Sequence, residues 1–336
     1  MTASPSADPP LRWGILSTAN IGRAAVIPAI RASSNGVLSA VASRDLERAR
    51  TFAEANGVPR ALGSYEALLD DPDVDALYVP LPNSLHLEWT VRALEAGKHV
   101  LCEKPLGLGA RECLDMDRVA RAHGVRLMEA FMYRFHPRTE RLLELVRSGA
   151  VGEVRVIRSA FTFRLRSADN IRLDPDLGGG ALRDVGCYCV NVSRTVAGAE
   201  PVAVQASATW TERGVDEALT GTLFFANGVV ARFDCALTLE RYEQVEVAGT
   251  DAWLRVPQAF LPGTADVVLE EHRGREGRTD HLVTGADEYQ RMVEHFVDHV
   301  RDGRPFRYDA REAALNLKAI EALYVSARAN GARVDV

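Results

Sequence analysis

The sequence predicts an α/β fold, with a doubly wound parallel sheet in residues 1–133 and an α+β domain on a mostly antiparallel open sheet in residues 134–336. Three observations predict it. The first part alternates short apolar runs with helical patterns, whereas the second part has consecutive strand-like runs. Asn227-Gly228 between two of those runs is a typical two-residue hairpin turn. The boundary between the domains is expected near residues 132–137.

The short apolar runs of the first domain have the length and composition of strands that are buried on both faces. They are Leu11–Leu16, Val37–Ala42, Asp75–Val79, His99–Cys102 and Arg126–Ala130. Helical patterns alternate with them at Ile21–Ala32, Leu46–Asn56, Ser84–Glu95 and Ala110–His123. Regular alternation of strand and helix implies parallel strands joined by helical crossovers.

The second domain begins with a longer alternating strand and one helix. These are Glu153–Arg164 and Ala181–Val196. Five further strands are expected at Val202–Trp210, Ala218–Phe225, Val229–Leu237, Gln244–Val247 and Ala252–Val256. Two helices, Glu288–Arg301 and Arg311–Ala329, follow. Strands that succeed one another without helices imply a mostly antiparallel sheet.

Composition narrows the class of protein. The 336 residues include 40 Lys and Arg against 46 Asp and Glu, and the resulting net charge of −6, with no basic block, argues against a nucleic-acid partner. No run of 18 apolar residues is present, so no membrane span is expected. An odd number of cysteines and the lack of a visible export signal favour reduced thiols and a cytoplasmic location. His295 and His299 have metal-like spacing, but no third ligand is visible and no metal site is expected.

The turn after the first strand, Ser17–Gly22, lies where a dinucleotide-binding Rossmann domain carries three glycines. Only Gly22 is present, so the turn alone leaves nucleotide binding and a plain strand–helix turn equally open. Gly22 allows close packing of helix on strand, and the hydroxyls, the backbone and the helix N-terminus offer donors to phosphate. The residues expected to contact the cofactor at this turn are Ser17, Thr18, Ala19, Asn20 and Ile21.

The end of the second strand indicates which dinucleotide fits. An NAD enzyme usually carries Asp or Glu there for the ribose hydroxyls, whereas this chain has Ser43 and Arg44. A guanidinium can bind a 2′-phosphate, so the pair favours NADP over NAD. The alternative is that Arg44 is a solvated charge at a strand end.

Two segments carry candidate reacting groups. Glu103-Lys104-Pro105 follows a buried strand at the edge of the sheet where ligands bind, and only three of the 40 basic residues are lysines. Asp184 and Tyr188 follow Gly178-Gly179-Gly180 and share a helix face. A Tyr beside an ammonium group can exchange a proton with a sugar hydroxyl. The alternatives are a surface lysine and a core tyrosine bonded to Asp184.

Together these residues resemble the glucose–fructose oxidoreductase and inositol dehydrogenase family, Gfo/Idh/MocA. The motifs that carry the resemblance are the turn at 17–22, Leu81-Pro82-Asn83 with His86, Glu103-Lys104-Pro105, and the glycine segment that leads to Asp184 and Tyr188. The resemblance extends from Arg12 to the end of the chain.

The resemblance implies roles for individual residues. Lys104 matches the catalytic lysine beside the nicotinamide, and Asp184 matches the acid near the substrate. Many members carry His at the position of Tyr188. Tyr occurs there in the branch with glucose–fructose oxidoreductase, D-xylose dehydrogenase, dihydrodiol dehydrogenase and certain keto-sugar reductases, which commonly uses NADP. Further cofactor contacts are expected from Leu81, Pro82, Asn83, His86 and Glu103, and a substrate contact from Arg172.

The implied function is NADP(H)-dependent hydride transfer between the nicotinamide and a carbohydrate. Two alternatives stay open, a trans-dihydrodiol dehydrogenase and a non-catalytic regulator that binds a dinucleotide. The open sheet of the second domain leaves a broad face, so a homodimer or homotetramer is expected.

Overall fold

The computed structural model describes residues 9–167 and 169–336, which form two compact units. Within those ranges, the first unit contains residues 9–107, 111–132 and 287–312, and the second contains residues 108–110, 133–286 and 313–336. The expected domains were 1–133 and 134–336. Residues 287–312, which the sequence analysis placed in the second domain, belong to the first unit.

The helices are numbered in chain order, and short 3₁₀ and π-helical turns carry no number. They are α1 (Ile27–Ala32), α2 (Leu46–Asn56), α3 (Tyr65–Leu69), α4 (His86–Glu95), α5 (Ala110–Ala122), α6 (Pro137–Arg147), α7 (Cys187–Ala197), α8 (Glu288–Arg301) and α9 (Ala310–Arg328).

The first unit is built on a six-stranded parallel sheet with the order β3-β2-β1-β4-β5-β6. Its strands are β1 (Leu11–Leu16), β2 (Gly36–Ala42), β3 (Arg60–Leu62), β4 (Ala76–Val79), β5 (His99–Glu103) and β6 (Leu127–Ala130). The predicted doubly wound parallel sheet is confirmed. The sequence analysis missed β3, which has only three half-buried residues, and the single turn and a half of α3.

Helix α8 joins the first unit through contacts at the start of the sheet. The rings of Trp13 on β1 and Phe296 on α8 have centroids 5.0 Å apart. The Asn35 amide donates to the carbonyl oxygen of Glu294 at 3.0 Å and to the Asp298 carboxylate at 2.8 Å. A helix that is distant in sequence therefore completes this unit.

The second unit is built on a nine-stranded sheet with the order β14-β13-β12-β11-β7-β10-β9-β8-β15. Its strands are β7 (Val154–Arg164), β8 (Pro201–Trp210), β9 (Asp216–Phe225), β10 (Val230–Ala236), β11 (Thr238–Gly249), β12 (Trp253–Pro257), β13 (Val267–Arg273), β14 (Gly277–Val283) and β15 (Val334–Asp335). All neighbours pair antiparallel except β7 and β10, which confirms the predicted mostly antiparallel sheet. The sequence analysis missed β13, β14 and β15.

Helices cover one face of this sheet. Gly186, just before α7, lies so close to β10 that a Cβ atom there would come within 2.7 Å of the Cys235 sulfur. The Ser326 hydroxyl on α9 accepts the Ala206 amide of β8 at 2.8 Å. The other face carries mixed polar and aromatic side chains, such as Trp253, whose ring stacks on that of His272 at a centroid distance of 3.9 Å.

Candidate active site

The turn after β1 keeps the backbone of a glycine-rich loop without its first glycine. Ser17 has φ = 146°, a conformation that residues with side chains rarely adopt and that costs about 1–3 kcal/mol. Its hydroxyl lies 3.3 Å from the Pro80 carbonyl oxygen and accepts the Ala19 amide at 3.2 Å. The two contacts of the Ser17 hydroxyl thus hold the backbone of the turn in the positive-φ conformation that a phosphate-binding turn requires.

A π-helical turn (Gly22–Val26) leads from this loop into α1. Wide turns of this kind recur at functional sites. A Cβ atom on Gly22 would lie 3.7 Å from Ile15 and 3.9 Å from Tyr78, which is ordinary contact. The packing of helix on strand at this point would therefore also accommodate a small side chain.

Two arginines lie near the end of β2. Arg44 is exposed, and the Ser43 hydroxyl beneath it accepts the amide of Asp45 at 3.3 Å. Arg48, which sequence reasoning missed, donates from Nε to the Thr18 hydroxyl at 2.8 Å. Arg48 lies in the first turn of α2, which begins two residues after Arg44, and this position at the start of the helix was the signal that could have found it.

Both arginine charges also act on Tyr65. Burial raises the pKa of the Tyr65 hydroxyl, and the Arg44 and Arg48 charges oppose that rise. Both guanidinium groups therefore lie close enough to Tyr65 to act on its hydroxyl, and Arg48 also contacts the turn that carries Thr18. A cluster of two cations and two hydroxyl groups suits an anionic group such as a phosphate monoester.

The His86 ring lies between two loops at the carboxyl edge of the parallel sheet. It is fully buried, with Nε2 at 2.8 Å from the Leu81 carbonyl oxygen and Nδ1 at 2.9 Å from that of Pro105. Burial lowers the pKa of His86, and the contacts with the two carbonyl oxygens oppose this only in part. The ring is therefore neutral at neutral pH and has one N–H to donate to one of the two carbonyls. His86 thus lies between the Leu81 loop and the Lys104 segment and contacts both.

Lys104 follows directly on β5, and its peptide bond to Pro105 is cis. The Glu103 carboxylate accepts the Tyr78 hydroxyl at 2.6 Å and the Lys104 amide at 3.2 Å. Burial, together with the Glu103 charge, raises the pKa of Tyr78 well above its usual value, so this phenol stays a donor. The buried Glu129 carboxylate accepts the Leu106 amide at 3.0 Å. Carboxylates thus fix the backbone on both sides of Lys104.

The glycines of Gly178-Gly179-Gly180 are required for two reasons, a positive φ at the first and third positions and a close approach of the backbone at the second. Gly178 has φ = 75° and Gly180 has φ = 130°, in the region that favours glycine. A Cβ atom on Gly179 would come within 2.4 Å of the Arg172 carbonyl oxygen. The same oxygen accepts the Gly180 amide at 2.9 Å. Because these positions carry no side chain, the start of the helix packs directly against the backbone of the segment that carries Arg172.

The structure brings two predicted site residues of the second unit together as an ion pair. Arg172 donates from Nε to the Asp184 carboxylate at 2.5 Å, with Asp184 largely buried and Arg172 partly exposed. The Asn170 side chain accepts the Arg172 amide at 3.0 Å and so shapes the preceding turn. Asp184 is thus oriented by Arg172, in an arrangement that leaves part of the guanidinium available to a ligand.

Tyr188 lies in a cluster of aromatic rings. Its ring centroid is 5.2 Å from that of Phe161, 5.3 Å from that of Phe260 and 5.7 Å from that of Tyr133. Phe161 and Phe260 stack with an interplanar angle of 10°. These rings fix the orientation of the Tyr188 ring by packing on it, as edge and stacked aromatic contacts do.

The loop that carries Phe260 is clamped by two charged residues that sequence reasoning missed. The buried Arg138 donates to the carbonyl oxygens of Pro257 at 2.7 Å and Gln258 at 2.6 Å. The buried Glu243 carboxylate accepts the Leu261 amide at 2.9 Å. Arg138 and Glu243 lie far from the loop in sequence, so no local pattern could have indicated them.

The histidine pair His295 and His299, which has metal-like spacing in the sequence, does not belong to a metal site in the described structure. No group of three or more His, Cys, Asp and Glu side chains suited to a metal occurs within residues 9–167 and 169–336. His295 and His299 have ring centroids 3.8 Å apart, and burial with the His299 charge lowers the pKa of His295 to about 4. In the part of the chain that is described, no helix has the length and apolar character needed to cross a membrane.

Comparison with known families agrees with this geometry. Residues 11–131 match the model of an oxidoreductase family with an NAD-binding Rossmann fold, and residues 139–255 match the Gfo/Idh/MocA C-terminal domain. The chain belongs to the Gfo/Idh/MocA oxidoreductase family. The predicted family, the predicted fold and the assignment as an oxidoreductase are thereby confirmed.

Several relatives carry names that state an activity. The chain is 43% identical to D-xylose 1-dehydrogenase (NADP(+)) 2 of Haloferax volcanii, over 97% of this chain and 100% of that one. It is 35% identical to trans-1,2-dihydrobenzene-1,2-diol dehydrogenase of Xenopus laevis, over 80% and 81% of the two chains. The 3-ketoreductase KijD10 of Actinomadura kijaniata, solved with NADP and TDP-benzene, superposes with a TM-score of 0.90 at 31% identity, over 94% and 98%.

Proposed function

We propose that the protein is an NADP(H)-dependent oxidoreductase that transfers a hydride between the nicotinamide and a carbohydrate. The observation that carries the cofactor choice is the cluster of Arg44 and Arg48 beside Ser43 and Thr18. An NAD enzyme places a carboxylate at the end of this strand, which would repel a 2′-phosphate. The 43% identical relative is named for NADP.

The turn at residues 17–21 fits the pyrophosphate of such a cofactor, because Ser17 holds the glycine-like backbone there. When bound, the nicotinamide cofactor supplies the hydride chemistry. In this proposal Tyr188 exchanges the proton of the reacting hydroxyl at its phenolic oxygen. The Lys104 ammonium binds the sugar oxygen and favours the phenolate. Asp184, paired with Arg172, orients the substrate hydroxyl groups.

The test is the absorbance of NADPH during incubation with a panel of sugars. We expect reduction of NADP⁺ by an aldose such as D-xylose, or oxidation of NADPH by a keto-sugar, and a clear preference over NAD(H). If tight NADP binding occurs without turnover of any sugar or diol, the protein is a dinucleotide-binding regulator and the proposal fails.

The aromatic rings around Tyr188 favour a second candidate, the oxidation of a trans-dihydrodiol. Phe161, Phe260 and Tyr133 give the Tyr188 ring an apolar surround, which suits a carbocyclic diol as well as a sugar face. The same assay separates the two, because kcat/KM for trans-1,2-dihydrobenzene-1,2-diol would then exceed that for every sugar.

We further propose that a second copy of the chain packs on the outer face of the nine-stranded sheet, giving a homodimer or homotetramer. This face carries Trp253 stacked on His272, the exposed Tyr242, and an ion pair between Arg158 and Glu246 at 3.7 Å. Light scattering that shows a stable monomer at micromolar concentration would exclude it. The five cysteines are buried thiols, which supports a cytoplasmic location.

A further inference from the structure

A buried carboxylate meets the start of the helix that carries Asp184 and Tyr188. Asp216, the first residue of β9, is 1% exposed. One carboxylate oxygen accepts the backbone amide of Leu182 at 2.7 Å, and the other accepts the hydroxyl of Tyr324, on α9, at 2.8 Å. The carboxylate therefore joins a strand, the reacting helix and a second helix.

The geometry of this contact explains the last glycine of the segment. A Cβ atom on Gly180 would lie 2.1 Å from one oxygen of Asp216 and 2.8 Å from the Tyr324 hydroxyl. Any side chain at position 180 would displace the carboxylate from the Leu182 amide. The contact of Asp216 with the Leu182 amide thus depends on Gly180, although the two residues lie 36 positions apart in the sequence.

The first amides of a helix have no acceptor within the helix itself, and a carboxylate is a favourable partner for them. No side chain of the preceding residue caps this helix. Asp216 satisfies the Leu182 amide instead, from a strand that is paired on both sides, with β8 and β10. Arg183 stacks over the Tyr324 ring, with its guanidinium carbon 5.1 Å from the centroid, and brings a positive charge close to the carboxylate.

We propose that Asp216 is a positioning residue for the reacting helix: by fixing the Leu182 amide to β9, it sets where the helix presents Asp184 and Tyr188. The proposal rests on the proposed function, which places these two residues at the substrate. Leu182 lies two residues before Asp184, so a shift of the first turn moves that carboxylate directly. A misplacement of about 1 Å at a reacting group costs on the order of 100-fold in rate.

The test compares Asp216→Ala and Asp216→Asn with Asp234→Ala as a matched control. Asp234 is an exposed carboxylate on the adjacent strand β10, and it accepts the hydroxyl of Thr220 at 2.8 Å. For each variant, hydrogen–deuterium exchange is followed at the amides of residues 181–188. Steady-state kcat and KM for the sugar and the dissociation constant for NADP are measured in parallel.

For Asp216→Ala we expect exchange at residues 181–188 to be about 10- to 100-fold faster, because a buried amide loses its acceptor. We expect kcat to fall by about 10- to 100-fold. The affinity for NADP should not change, since the predicted nucleotide contacts belong to the other unit. Asp216→Asn retains an acceptor oxygen and should keep kcat within about threefold of the wild type. The Asp234 variant should match the wild type in every measurement.

Wild-type kcat in Asp216→Ala would overturn the proposal, whether or not exchange becomes faster. If circular dichroism shows that Asp216→Ala does not fold, Tyr324→Phe replaces it, because it removes one hydrogen bond and keeps the ring. An unchanged exchange pattern and kcat in that variant would also overturn the proposal. If the wild type turns over no sugar, the proposed function fails. The exchange measurement still decides whether Asp216 holds the helix.

Discussion

The segments that carry Lys104 and Tyr188 are positioned by different devices. Lys104 leaves a parallel strand, and its backbone is held by groups at the same edge of the same sheet, including the Glu129 carboxylate and the His86 ring. Tyr188 lies on a helix whose first turn is held by Asp216, a carboxylate from a strand further along the chain. The first device follows from strand order, whereas the second exists only once a distant strand has packed against the helix.

The largest effect should come from the two reacting side chains themselves. Tyr188→Phe keeps the ring in its aromatic cluster and removes only the hydroxyl, so kcat should fall by about 100- to 10,000-fold while the protein folds normally. Lys104→Ala should cost a similar factor. The double variant should lose much less than the product of the two, because groups that act on one proton are not additive.

The controls for this experiment are Tyr242→Phe and Lys318→Ala, which change an exposed tyrosine of the outer sheet face and an exposed lysine of α9. Both should retain full turnover of the sugar in the NADPH assay. Multiplicative losses in the Lys104 and Tyr188 double variant would show that the two segments serve separate steps. Lys104 and Tyr188 would then not act on the same proton.

A smaller effect is expected at the phosphate cluster of the first unit. Arg44→Asp should weaken NADP binding by about 10- to 150-fold, as the loss of one charge-assisted contact predicts, and should improve binding of NAD. Arg48→Ala should weaken NADP in the same direction, since Arg48 orients Thr18 as well as lying beside Arg44. Titration calorimetry measures both.

Arg50→Ala serves as the control, because Arg50 lies on the same helix and is exposed, with an ion pair to Glu47. Its affinity for NADP should equal that of the wild type. Unchanged NADP affinity in the Arg44 and Arg48 variants would mean that these guanidinium groups serve the surface of α2 and do not bind the cofactor.

The sequence predicted the first region better than the second for a physical reason. Parallel strands bring their carboxyl ends to one edge, so Thr18, Ser43 and Lys104 could be assigned to that edge from the order of elements alone. Arg48 was missed although it lies in the first turn of the helix that follows Arg44. The contacts that fix the backbone, such as Glu129 to Leu106, depend on the register between strands and were not predictable.

In the second region, the sequence indicated the glycine segment, Asp184 and Tyr188, but not their supports. The Arg172 partner of Asp184 was predicted only as a possible ligand contact. Asp216 and Glu243 resemble ordinary strand residues in a charge-rich chain, and only tertiary packing buries them. Strands β13 and β14 were missed because polar residues such as Glu271 and His281 stand on the same face as the buried Leu269 and interrupt the apolar alternation that marks a strand.

The next prediction tests the anchor of the Lys104 segment. His86→Leu removes the ring that lies between the buried carbonyl oxygens of Leu81 and Pro105, together with the N–H that it donates there, so the two loops should loosen and kcat/KM should fall by about tenfold. His123→Leu, at an exposed position after α5, is the control and should change nothing. Because burial lowers the pKa of His86, ¹⁵N spectra of histidine-labelled protein should show one protonated and one unprotonated ring nitrogen for His86 at neutral pH. A doubly protonated ring there would mean that the contacts with the two carbonyl oxygens outweigh the effect of burial.

The smallest expected effect is a pH dependence of stability that comes from Asp216, which holds the helix of Tyr188, and not from the contacts that hold the Lys104 segment. Burial raises the pKa of Asp216 to about 6, and the Leu182 amide, Tyr324 and the Arg183 charge limit the rise. Between about pH 4 and 6 the folded protein therefore keeps a proton that the unfolded chain, with a carboxyl pKa of about 3.9, releases. The unfolded state binds fewer protons in this window, so Asp216 makes stability fall as pH rises through it. Above about pH 7 its contribution is constant.

Asp216→Asn has no such titration, so its Tm relative to the wild type should rise by roughly 2–6 °C between pH 4 and 7. Differential scanning calorimetry at matched ionic strength measures this difference. Parallel Tm curves for the two proteins would show that Asp216 ionises as an ordinary surface carboxylate does, and that the helix of Tyr188 is not held by a buried charge.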